Sequence, residues 1–191
     1  MRVVALNGSP KPEGNTYHLI RRVFAELEKE GIETEYVHFG GKPLRGCTAC
    51  FKCRENKDKK CALPDDGLNG YIEKMERAEG IILASPTYFS NVTAEMKALI
   101  DRAGFVAKGN GGLFRRKVGA AIVAMRRAGG IMAYNDLNLF FGIQEMIVPG
   151  SSYWNVGIGR MPGEVLKDEE GLQTLDTLGK HMAWLLKKLY A

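Results

Sequence analysis

The chain has 191 residues, 45% of them hydrophobic and 26% charged, with a formal charge of +5. This balance excludes a disordered chain and predicts a single domain over residues 1–191. No run reaches the roughly 20 apolar residues of a membrane span. The apolar start, Val3 to Leu6, is too short for a secretory leader, so a cytoplasmic location is expected. The mild positive charge comes without helix-turn-helix spacing or a basic stripe interleaved with aromatics, which argues against nucleic acid as a partner.

Val3 to Asn7 predicts a first strand, followed by the turn-rich run Gly8-Ser9-Pro10-Lys11-Pro12-Glu13-Gly14-Asn15-Thr16. Leu19, Ile20, Val23, Phe24 and Leu27 then recur at helical spacing until Gly31. Glu33 to Phe39 predicts a second strand, and residues 40–64 are irregular. Leu68, Tyr71, Ile72 and Met75 share one helical face. Ile81 to Ala84 is apolar throughout, as a strand buried on both faces of a parallel sheet should be. Ser85 to Asn91 is a loop, and Met96, Leu99, Ile100 and Ala103 mark the next helix. Val118 to Ala124 predicts a fourth strand, Ile131 to Glu145 a helix, and Met146 to Val148 a short fifth strand. Ser151 to Asp168 is the least regular stretch. Leu172, Leu175, Leu178, Met182, Leu185 and Leu189 form a closing helix.

Alternating strands and helices imply a parallel sheet covered on both faces. Five strands with four or five helices match the flavodoxin-like α/β fold, with strand order 2-1-3-4-5 expected from that class. Its ligand crevice lies at the carboxyl ends of the strands, where the winding reverses.

The loops at those ends carry the chemistry. The first places Ser9, Asn15 and Thr16 beside a helix start, where free N–H groups attract a phosphate. A plain connection in which Asn15 or Thr16 caps the helix is the alternative. It matches neither G-x-x-x-x-G-K-[ST] nor G-x-G-x-x-G, which argues against nucleoside triphosphates and the usual dinucleotide geometry. The second, Ser85-Pro86-Thr87-Tyr88-Phe89-Ser90-Asn91, combines apolar faces with polar edges, as a flat heteroaromatic ring requires. The third, Met125-Arg126-Arg127-Ala128-Gly129-Gly130, adds cations and close-approach glycines.

With G-S-P-x3-G-N-T, S-P-T-Y-F and R-x-G-G in these loops, the chain resembles the NADPH-dependent FMN reductase family over nearly its whole length. The additional C-x2-C-x2-C-x7-C of Cys47, Cys50, Cys53 and Cys61 resembles its iron–sulfur flavoprotein branch. The resemblance implies that Ser9, Lys11, Asn15 and Thr16 hold the FMN phosphate. Pro86, Thr87, Tyr88, Phe89 and Asn91 would line the isoalloxazine and ribityl. Arg127, Gly129 and Gly130 would close the ring site.

Three cysteines at x2 spacing suit a [4Fe–4S] cluster wrapped by one loop, over residues 43–64. The fourth at x7 departs from the ferredoxin pattern and closes the cluster locally. Structural zinc and a redox thiol pair remain alternatives. The basic run Lys52 to Lys60 would offset the anionic charge of either metal group. The resemblance further implies ferredoxin as a one-electron donor and dioxygen, peroxide or a quinone as acceptor. An NAD(P)H-dependent FMN or quinone reductase with structural or zinc-bound cysteines is the second expectation, and a non-enzymatic redox sensor the third. No catalytic acid or base is assigned. His18 and His181 show no motif, while His38 ends strand two near the cysteines. Tyr153, Trp154, Val156 and Ile158, extended by Phe140 and Phe141, predict an apolar patch outside the five strands. That patch predicts a two-fold homodimer or homotetramer with the cysteine loop close to a flavin, its own or a partner's.

Overall fold

In the computed structural model, which describes residues 1–190, five strands form one parallel sheet. The elements are β1 Arg2–Asn7, α1 Asn15–Lys29, β2 Glu33–His38, α2 Lys52–Asn56, α3 Leu68–Arg77, β3 Gly80–Pro86 and α4 Ala94–Gly109. They continue with β4 Val118–Met125, α5 Gly130–Ile143, β5 Val156–Ile158, a 3₁₀ turn at Glu164–Lys167, and α6 Glu169–Tyr190. The strand order is β2-β1-β3-β4-β5, the one expected from the flavodoxin-like class. No helix among the described residues is long and apolar enough to cross a membrane.

Alternation along each central strand builds two cores. Val4, Leu6, Ile81, Leu83, Ala121 and Val123 face the layer of α3, α4 and α5. Val3, Ala5, Ile82, Ala84, Ala120 and Ile122 face α1 and α6. Period-2 side-chain placement explains why these strands are apolar at every position. Leu19, Ile20, Val23, Phe24 and Leu27 are fully buried beneath α1, each such side chain contributing about 1.5–3 kcal/mol of transfer free energy.

The sheet reverses its winding between β1 and β3, where Asn7 pairs with Ala84. The backbone N–H of Gly8 donates to the Ala84 carbonyl at 2.9 Å. Thr93 caps α4: its Oγ1 accepts from the Met96 amide at 3.3 Å and donates to the Gly8 carbonyl at 2.8 Å. Loop one is thus tied to the start of α4.

The fifth strand corrects the expectation. Met146 to Val148 makes only an isolated bridge, Ile147 to Val118. Pro149 and Gly150 follow, and a proline cannot donate to a ladder. The strand itself is Val156–Ile158, paired with Val123 to Met125. The expected patch changes accordingly, because Val156 and Ile158 belong to the sheet edge. Phe140 and Phe141 are buried, while Tyr153 and Trp154 stay exposed. The apolar side chains that α5 exposes are Met132, Leu139 and Ile143.

Candidate cofactor sites

A cavity of about 180 Å³ opens at the carboxyl ends of the strands. It gathers Ser9, Lys11, Asn15 and Thr16 from loop one with Pro86, Thr87 and Tyr88 from loop two. Gly14, Ala124, Met125, Arg126, Gly159, Arg160 and Pro162 complete its wall. Phe89, Asn91, Arg127, Gly129 and Gly130 do not line it.

Loop one is braced from below. The Ser9 amide donates to Asn7 Oδ1 at 2.9 Å, and Ser9 Oγ accepts from the Lys11 amide at 3.2 Å. His38 Nε2 lies 2.7 Å from the Ser9 carbonyl, so this histidine supports loop one. Helix α1 starts at Asn15 after Gly14, and no side chain caps it. Its first N–H groups have no intrahelical acceptor, which leaves positive helix-end potential beside the cavity.

The Asn15 side chain has a second task. Its Nδ2 donates to the Gly159 carbonyl at 2.9 Å, and its Oδ1 accepts from the Val165 amide at 3.3 Å. It thereby pins the segment after β5 against loop one. A Cβ on Gly159 would lie 2.6 Å from the Val165 backbone nitrogen and 2.8 Å from Asn15 Nδ2. Gly159→Ala is therefore expected to lower stability by about 1–3 kcal/mol through forced displacement. Denaturant unfolding of the flavin-free protein measures this, and an unchanged midpoint would contradict it.

Loop two turns back at Phe89 and Ser90, both with positive φ (48° and 60°), as a type I′ turn requires. Tyr88 and Asn91 exchange backbone hydrogen bonds at 2.9 and 3.0 Å across it. Asn91 Oδ1 accepts from the Val92 amide, and Phe89 is fully exposed at the tip. Gly129, at φ 82°, is the N-cap of α5. A Cβ there would lie 2.6 Å from Ser90 Oγ, so its lack of a side chain lets loop three approach loop two. Thr87 Oγ1 is buried on the cavity wall and has no hydrogen-bond partner among the described residues. Such a hydroxyl is free to pair with a polar group of a bound ligand or with water.

The second site is the cysteine loop. Cys47, Cys50, Cys53 and Cys61 are free thiols that line one pocket. Ala62, Leu63, Phe105 and Val106 give it an apolar floor. Among the described residues, eight non-glycine residues have positive φ; six of them lie in the cysteine loop and loop two, four from Ala49 to Lys59. Backbone strain is thus concentrated where ligands are expected. Among the described residues, no three His, Cys, Asp or Glu side chains are arranged to hold a single metal ion. The space between the four thiols is small, about 20 Å³. The donor chemistry nonetheless fits a multinuclear group, because four thiolates of a cluster bind separate irons and need not meet at a point.

Arg102 of α4 joins this site without belonging to any of the motifs above. It is 1% exposed. Its Nε lies 3.3 Å from Cys61 Sγ, and its Nη1 lies 3.0 Å from the Arg45 carbonyl and 2.5 Å from Asp66 Oδ2. Burial pushes the Asp66 carboxyl up. Hydrogen bonds from Arg102 and the Arg45 amide, with the Arg102 charge, outweigh that and hold it below its ordinary value. Burial, then repulsion from Cys61, pushes the Cys53 thiol up. The two sites share no lining residue.

Comparison with known proteins agrees with this arrangement. The model of the NADPH-dependent FMN reductase family matches residues 1–160. An iron–sulfur flavoprotein of Methanocaldococcus jannaschii is 39% identical, over 98% of this chain and 98% of its own length. One from Methanosarcina thermophila is 31% identical, over 98% and 96%. Among solved structures, RosB superposes with a TM-score of 0.77 at 19% identity, over 99% of this chain and 80% of its own. An archaeal flavodoxin gives 0.63 at 17%, over 98% and 99%. The last two show likeness of fold. With a cysteine-rich loop after β2 and full-length relatives of this kind, the chain belongs to the NADPH-dependent FMN reductase family, in its iron–sulfur flavoprotein branch.

Proposed function

We propose that this protein is an FMN-dependent electron-transfer flavoprotein. It would receive electrons singly at a [4Fe–4S] cluster, from a donor such as ferredoxin, and deliver them through FMN to an acceptor such as dioxygen, peroxide or a quinone. When bound, a cluster carries one electron and a flavin one or two, so the pair can link one-electron and two-electron partners. The observation that carries this reading is the gathering of four free thiols in one pocket on a flavodoxin-like sheet with a separate strand-end cavity.

The chain's own residues have distinct tasks in this reading. Cys47, Cys50, Cys53 and Cys61 would hold the cluster. Ser9, Thr16 and the open N–H groups of α1 would grip the FMN phosphate, with Lys11 as a cation. Arg126 and Arg160 lie at the same cavity and add positive charge. Pro86, Thr87 and Tyr88 would meet the ribityl and ring, and Phe89, Asn91, Arg127, Gly129 and Gly130, which lie outside the cavity wall, would complete the ring site. The whole chain would act as one domain in the cytoplasm, whose reducing conditions keep exposed thiols available. A homodimer or homotetramer would bring one chain's cysteine loop to a partner's flavin, consistent with the separation of the two sites within one chain.

Thr87→Val is expected to weaken FMN binding about tenfold, the equivalent of one hydrogen bond of about 1.4 kcal/mol. The flavin-free protein should keep or gain stability, since the change removes an unpartnered hydroxyl. Fluorescence titration with FMN measures the first effect; unchanged affinity would place the cofactor elsewhere.

The family description favours a second reading, in which NAD(P)H reduces the flavin directly. Anaerobic stopped-flow separates the two. Fast flavin reduction by reduced ferredoxin and slow reduction by NADPH supports the cluster route. The reverse order, with no cluster signal, would establish the reductase.

A further inference from the structure

We propose that Arg102 is a positioning residue of the cluster site, one that orients the fourth ligand and raises the potential at which the cluster accepts an electron. This rests on the cluster reading above. A guanidinium has five donors in a fixed fork. Here Nε points at Cys61 Sγ, while Nη1 reaches the Arg45 carbonyl and the Asp66 carboxylate. Arg45 precedes the first cysteine by two residues, and Asp66 follows the fourth by five. One side chain from α4 therefore grips both ends of the loop and one of its sulfurs.

A stabilising role for the ion pair alone would not require contact with sulfur. A cluster with four thiolates is already anionic, and accepting one electron adds one negative charge. A buried N–H donor with positive charge beside a ligand sulfur favours the more negative state. Hydrogen bonds to ligand sulfurs and local charge are among the levers that set such potentials. The surrounding cations Lys52, Lys57, Lys59 and Lys60 are exposed, where solvent screens them. Asp66 opposes Arg102 in sign, which gives the test its direction.

The test is an anaerobic dithionite titration followed by electron paramagnetic resonance, on the full chain carrying FMN. Asp66→Asn keeps the Arg102 donor and removes a negative charge, so the cluster potential should rise above wild type. Arg102→Gln combined with Asp66→Asn leaves no buried charge unpaired and should fall below Asp66→Asn. Arg102→Lys keeps a cation without the fork and should fall below wild type. FMN content should stay constant throughout. A purely structural contact would lower cluster content without these opposed shifts. Equal potentials in Asp66→Asn and the double variant, with iron retained, would overturn the proposal. Should the double variant take up no iron, an Arg102→Lys potential equal to wild type would overturn it instead. A wild-type protein without iron and sulfide would sink the cluster reading itself, a different result.

Discussion

Cys50→Ala is expected to abolish bound iron and acid-labile sulfide while FMN stays at wild-type stoichiometry. Cys50 lines the thiol pocket and is the exposed member of the four cysteines. A cluster corner left without its thiolate is open to solvent and oxidant. The two losses separate because the flavin cavity is built from loops one and two with the segments after β4 and β5, none of which touches Cys50. Loss of the broad charge-transfer absorbance beneath the flavin bands reports the change. Retention of stoichiometric iron and sulfide in Cys50→Ala would show that the ligand set is wrong.

The second large effect lies at Asp66. Removing one partner of a buried ion pair costs about 3–5 kcal/mol, because the remaining charge stays in low dielectric. Arg102 is 1% exposed and the Asp66 side chain 10%, so Asp66→Asn should lose about 3 kcal/mol at pH 7. The pH dependence has a definite sign. The folded Asp66 carboxyl is held below its ordinary value, so the unfolded chain takes up the proton first as pH falls. The stabilisation is then complete above the unfolded value of about 3.9 and is lost as pH falls through the depressed folded value. Urea unfolding of the apo-protein at neutral pH and near pH 3 checks this. The gap between wild type and Asp66→Asn should narrow in acid; a gap that widens there would contradict the assignment.

The central strands were legible because burial on both faces leaves an unbroken apolar run, as in Ile81 to Ala84. The loops were legible because each follows such a strand with turn residues. The fifth strand was not. Met146 to Val148 has the stronger β composition, yet Pro149 ends its pairing. Val156-Gly157-Ile158 is weakened on paper by its glycine, but a Cβ on Gly157 would lie 2.6 Å from a Val165 methyl and 2.7 Å from one of Leu19. Close packing of β5 under α1 requires that glycine, and no local pattern reveals it.

The sites divide in the same way. The cysteine spacing and the Ser9–Thr16 run were visible as motifs. The Asn15 contacts to Gly159 and Val165 span about 150 residues and depend on the tertiary fold. Arg160 enters the cavity for the same reason. Arg102 did leave a trace: it stands between Leu99 and Val106 on the buried stripe of α4. A lone cation at such a position needs a partner, and sequence alone does not say that Asp66 and Cys61 supply it.

Cofactor content tests the assignment of a cluster and a flavin to this chain most directly. Protein purified without oxygen should carry FMN together with iron and sulfide in the ratio of one four-iron cluster to one flavin, with absorbance extending past the flavin bands. Flavin bands alone, with stoichiometric zinc and no labile sulfide, would contradict it.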